Sequence, residues 1–141
     1  IRDSFEGALM KAIRSLELNV RALKLDKLEG LDISRLGAYL RYHEAFSPKG
    51  TNANFARILS PGHIAIRTYE RGVEDETLAC GTGMTACALL HAVLTDAPSP
   101  IQVDVARGDT LKVGFQRTGD RFTDVTLTGP ADLVFTGDIQ I

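Results

Sequence analysis

Only two cysteines, Cys80 and Cys87, occur in the 141 residues, and they form no CxxC pair. On one helix their spacing would put them on one face but two turns apart, roughly 10 Å along the axis, which excludes an internal disulfide. No zinc-ligand spacing occurs, and His43, His63 and His91 share no motif, so no metal site is expected. No secretory signal pattern opens the chain, and with so few cysteines the expected compartment is the reducing cytoplasm. No apolar run is long enough to span a bilayer, so no membrane partner is expected. The formal net charge is -2 without a basic stripe, which argues against nucleic acid. The chain opens with Ile1 rather than Met, as would a chain whose start lies upstream or one that has been cut.

What is present suits one domain over residues 1–141, with 44% hydrophobic and 24% charged residues. Residues 5–18 mix helical spacing with alternation and stay ambiguous, whereas Val20–Asp26 alternates cleanly as a strand. Asp32 or Ser34 can cap a short helix through Leu36 and Leu40. After the turn signal Ser47-Pro48-Lys49-Gly50 come two strands, Asn54–Leu59 and His63–Tyr69, joined at Pro61-Gly62. From Thr82 the period changes: Met84, Ala88, Leu89, Ala92 and Val93 mark a nearly uncharged helix that ends near Thr95. Its composition predicts burial over most of its surface. Strands are expected at Ile101–Val105, Leu111–Phe115, Phe122–Thr128 and Ala131–Phe135. The fold class is therefore α+β: a mostly antiparallel, curved sheet wrapped around a central apolar helix.

The chemistry concentrates where that helix starts, at Cys80-Gly81-Thr82-Gly83. A helix start carries unsatisfied N–H groups and the positive end of the macrodipole, so it favours a thiolate and can hold a carboxylate beside it. Cys80 is the candidate reactive thiol. Cys87, in mid-helix among Ala86, Ala88 and Leu89, reads as core packing. Glu70 and Arg71 form either a solvated ion pair or a grip on a zwitterionic substrate. Glu74, Asp75 and Glu76 read mainly as loop solubility and should face water, because acids turned inward would oppose a thiolate. Asn52 and Asn54 flank Ala53 and are expected on opposite sides, one binding ligand and the other satisfying the turn. His91 lies in the buried helix and should make a structural hydrogen bond, His43 should sit at a helix end, and His63 should open a strand.

These residues carry a resemblance to the C-terminal half of diaminopimelate epimerase. Thr68–Val73 followed by Glu76–Gly83 resembles that family's second-cysteine signature, and Gly50-Thr51-Asn52-Ala53-Asn54-Phe55 resembles its upstream substrate-binding segment. The Thr128-Gly129-Pro130-Ala131 ending fits as well, so similarity runs from about Leu28 to the C-terminus. The loop Glu74-Asp75-Glu76 is one residue longer than the family's commonest form. The resemblance implies cofactor-independent epimerisation of LL- to meso-diaminopimelate, a diamino dicarboxylic acid of lysine and peptidoglycan-precursor synthesis. One cysteine thiolate removes the α-proton and a second thiol returns one from the opposite face. It implies Cys80 as one of that pair, Gly81, Thr82 and Gly83 as amides for the α-carboxylate, and Asn52, Glu70 and Arg71 as substrate-binding residues.

The partner cysteine of the family lies in an N-terminal half, and no second CGxG-like motif occurs here. The family's Pro-His segment is missing before Leu28, Asn19 is a weak counterpart of its asparagine, and residues 1–27 look shortened or rearranged. The chain would therefore need that half, or a second copy of itself, to supply the second thiol. The alternatives are an inactive fragment, a non-catalytic amino-acid-binding or packing domain, or a racemase of the proline racemase type. Whether this chain acts alone stays open.

Overall fold

The computed structural model describes residues 30–140. The ambiguous segment 5–18, the expected strand Val20–Asp26 and Asn19 lie outside the described residues. Helix α1 (Ile33–Arg41) starts at Asp32, whose carboxylate accepts from the Arg35 amide at 2.9 Å, so Asp32 is the cap and Ser34 is not. A single 3-10 turn (Glu44–Phe46) follows, opened by His43, whose Nδ1 accepts from the Ala45 amide.

Strands β1 (Ala53–Ser60) and β2 (His63–Glu70) form an antiparallel hairpin turned at Pro61-Gly62, with Ala53 opposite Tyr69 and Asn54 opposite Thr68. The short β3 (Asp75–Thr77) folds back on β2. Helix α2 (Gly81–Thr95) then crosses to β4 (Ile101–Asp104), which runs parallel to β2. Antiparallel β5 (Thr110–Thr118) and β6 (Arg121–Thr128) complete the order β1-β2-β4-β5-β6, with β3 also on β2. The sheet is mixed, curved and unclosed, and with the two helices it makes an α+β fold.

Period-two alternation gives β2 two working faces. Ile64 and Ile66 turn toward α2 and join Met84, Ala88, Ala92, Ile101, Val103 and Val113 in the main core. Tyr69 turns the other way and packs with Ile33, Ala53 and Phe55 beneath α1. The α2 C-terminus is tied down by Arg117, whose guanidinium donates to the Ala92 carbonyl at 2.8 Å and meets Asp96 at 3.2 Å.

Helix α2 is buried along most of its length: Gly83, Met84, Ala88, His91 and Ala92 are buried, Leu89, Leu90 and Val93 are half-buried, and exposure is confined to its ends, where Leu94 is 60% exposed. One expectation is corrected here. Ala131–Phe135 forms no strand, and Leu133, Val134 and Phe135 stand exposed. An apolar run gives a strand its tendency but not a partner, and no described strand lies beyond β6 to pair with this segment. No described helix is long and apolar enough to cross a membrane.

Candidate active site

Cys80 is the N-cap of α2, with extended backbone angles (φ -127°, ψ 108°) that deliver the chain into the helix. Its carbonyl accepts from the Met84 amide at 2.9 Å, while its side chain makes no capping bond, so the sulfur is left available. Cys80 is buried, whereas Gly81 and Thr82 are exposed and Gly83 is buried. The amides of this first turn have no partner within the helix and no side-chain cap, so a nearby anion can take them.

Two side chains reach the sulfur: Asn52 Nδ2 at 3.5 Å and Thr82 Oγ1 at 3.5 Å. Asn52 Oδ1 accepts from the Arg71 amide at 2.9 Å, which fixes the carboxamide with its NH2 toward Cys80. Arg71 thus serves this cluster through its backbone; its guanidinium turns to the Lys49 carbonyl at 3.5 Å. No ion pair joins Glu70 to Arg71, and no hydrogen bond ties the Glu70 carboxylate to the sulfur. The Glu70 carbonyl instead accepts the Val73 and Glu74 amides and closes the loop. The structure therefore gathers Cys80, Asn52, Gly81, Thr82 and the Arg71 backbone, and leaves the Glu70 carboxylate and the Arg71 guanidinium outside that cluster.

Asn52 and Asn54 do not point to opposite sides. Residues two apart in a strand share a face, and both asparagines turn toward α2, Asn52 to Cys80 and Asn54 against Gly83. Sequence reasoning also missed Thr68, which is 2% exposed and donates to Asn54 Oδ1 at 2.9 Å. Its signal was the alternation that places it on the face of Ile64 and Ile66.

The loop acids do more than confer solubility. Glu74 accepts from Arg41 Nη2 at 2.8 Å and from the Tyr42 hydroxyl at 2.9 Å, and Asp75 accepts from the Ser34 hydroxyl at 2.6 Å. Glu76 holds Arg67 through two bonds of 2.6 Å. The Arg41 guanidinium and then the Gly72 amide hold the Glu74 carboxyl below its ordinary range, and the Ser34 hydroxyl does the same for Asp75. All three pin β3 and its loop to neighbours away from the thiol.

Cys87 is half-buried, and burial together with the neighbouring Cys80 pushes its thiol up to about 12. His91 is 4% exposed and accepts from the Gly62 amide at 3.2 Å, the structural bond expected of it. Among the described residues no group of three metal-ligating side chains converges. A cavity of about 620 Å³ lies between β3 and β4, lined by Arg67, Glu76, Thr77 and Asp104, and Cys80 does not line it.

A profile of the diaminopimelate epimerase family matches residues 22–134. The chain belongs to the diaminopimelate epimerase family. Similar curated relatives bear that name. The protein of Chlorobaculum tepidum is 43% identical over 118 residues, which is 83% of this chain and 45% of the relative. That of Hydrogenobaculum sp. is 43% identical over 79% of this chain and 39% of the relative. That of Aquifex aeolicus is 42% identical over 82% and 41%. The chain thus spans less than half the length of these diaminopimelate epimerases.

Proposed function

We propose that this chain supplies one catalytic thiol of a cofactor-independent epimerase that inverts the α-carbon of LL-diaminopimelate to the meso form. The observation that carries the reading is the buried Cys80 sulfur at the uncapped start of α2, with the Asn52 amide at 3.5 Å. The thiolate of Cys80 takes the substrate α-proton: the C–H bond breaks, an S–H bond forms, and the electron pair stays on the α-carbon. An amino-acid α-proton is very weakly acidic, so that pair needs stabilisation as it develops. Amides of Gly81, Thr82 and Gly83 aimed at the α-carboxylate supply it, since charge spreads into that group.

A second thiol must deliver a proton to the opposite face. Cys87 does not fill this role: it lies down the same helix, and its thiol is pushed up to about 12. The second thiol therefore lies outside these residues, either in the half that the relatives carry or in a second copy of this chain. In a reducing cytoplasm both sulfurs stay available. Glu70 and Arg71 flank the cluster and suit the substrate's distal ammonium and carboxylate.

The test is α-proton exchange of LL- and meso-diaminopimelate in deuterated water, with Cys80→Ser as control. Deuterium incorporation that vanishes in the folded Cys80→Ser variant supports the reading. Incorporation that survives in Cys80→Ser overturns it. Binding without exchange, both alone and with an N-terminal half supplied, assigns an amino-acid-binding domain instead.

A further inference from the structure

Asn54 and Thr68 are direct cross-strand partners on β1 and β2. The Thr68 hydroxyl is buried on the α2 side of the sheet and donates to Asn54 Oδ1 at 2.9 Å. That bond holds the Asn54 carboxamide in one orientation. The same carboxamide oxygen also faces Gly83, the third residue of α2. A Cβ placed on Gly83 would lie 2.2 Å from Asn54 Oδ1 and 3.0 Å from its Cγ. The glycine is therefore required here for close approach and not only to free amides, and the helix rests on Asn54 through its own backbone.

We propose that Asn54 is a positioning residue for the Cys80 site: pinned by Thr68 and seated against Gly83, its carboxamide sets where the first turn of α2 lies over β1. This deepens the reading of Cys80 and the first-turn amides as one apparatus, and it rests on that reading. Cys80 and Gly83 belong to the same turn, so a displacement at Gly83 is carried to the sulfur and to the amides together. The Asn52–Cys80 contact of 3.5 Å leaves little slack. A shift of about 1 Å is enough to remove such a contact, and misplacements of that size cost catalysis heavily.

The experiment needs no enzymatic turnover. In a Cys87→Ala background, two quantities are read: the backbone amide resonances of Gly81, Thr82 and Gly83, and the rate at which iodoacetamide alkylates Cys80. Asn54→Ala and Thr68→Val are expected to shift those resonances and to lower the alkylation rate about 2- to 5-fold, because the displaced first turn withdraws its amides from the reacting sulfur. Thr68→Ser keeps the hydroxyl and is expected to restore both readings. Gly83→Ala is expected to disturb them, and adding Asn54→Ala to it is expected to recover part of the loss by removing the obstructing carboxamide. The proposal is overturned if folded Asn54→Ala and Thr68→Val match the parent in both readings. It is equally overturned if the double variant is no better than Gly83→Ala. Failure of the epimerase reading would show as absent Cys80-dependent exchange in the parent and would leave these two readings intact.

Discussion

Asn52 and Cys80 lie 28 residues apart in sequence, yet the Asn52 Nδ2 donates toward the Cys80 sulfur at 3.5 Å. The other end of the same carboxamide is occupied by the Arg71 amide at 2.9 Å, so the group cannot turn over without losing that bond. A donor fixed in this way holds the sulfur in place for the reaction proposed for it. In an exchange-competent assembly, Asn52→Ala should slow α-proton exchange about 10-fold, the loss of one bond to a charged acceptor. Asn52→Asp should slow it further, because it replaces a donor with an anion beside the sulfur. Rates equal to the parent's in both folded variants would remove Asn52 from the site.

The two thiols should differ sharply in native labelling. Cys87 has a thiol pushed up to about 12 and sits half-buried against the core, so it is almost wholly protonated near neutral pH. Iodoacetamide followed by mass spectrometry of the folded protein should find the label on Cys80, with Cys87 modified only after unfolding. Cys87→Ala should cost about 1 kcal/mol of stability, a small packing loss, and leave exchange at the parent rate. Native labelling of Cys87 first would overturn the assignment of roles.

The hairpin and the start of α2 were legible because their signals are local. His63–Tyr69 alternates, Pro61-Gly62 turns the chain, and Gly81-Thr82-Gly83 precedes an apolar helical run. Strand β3 was not legible: Asp75, Glu76 and Thr77 carry no apolar pattern, and their pairing is held by Ser34 and Arg67 from distant segments. Ala131–Phe135 shows the converse case, where an apolar run is present and no described strand pairs with it. At the site, Cys80 could be picked out from its helix start. The shared face of Asn52 and Asn54 follows from strand periodicity, which the expectation of opposite sides misapplied, whereas the use of Arg71 through its amide depends on how the loop folds back, which sequence does not display.

Gly37 marks where α1 crosses the sheet. A Cβ there would come 2.2 Å from the Tyr69 Cβ and 2.4 Å from its Cγ, against a side chain that is 4% exposed. Gly37→Ala gains about 1 kcal/mol of helix propensity. It also forces an overpacked contact of about 3 kcal/mol, since neither backbone can give way cheaply. The net expectation is a loss of about 2 kcal/mol in urea unfolding. A variant more stable than the parent would mean that α1 does not seat on Tyr69.

His91 ties the β1–β2 turn to α2 only while its Nε2 is unprotonated, because that atom accepts from the Gly62 amide at 3.2 Å. Burial lowers its pKa from the ordinary 6.5. The unfolded chain therefore takes up a proton that the folded chain refuses as the pH drops below that value. The contribution is fully present above about pH 6.5 and is lost as the pH falls toward the folded-state pKa, with a slope of up to about 1.4 kcal/mol per unit. His91→Phe should be about 1 kcal/mol less stable than the parent at pH 8, having left the Gly62 donor unpaired. Between about pH 6.5 and 5 its stability should fall less steeply than the parent's, because this titration is gone. Urea midpoints across that range check both parts, and identical slopes for the two proteins would show that His91 is protonated as readily in the folded chain as in the unfolded one.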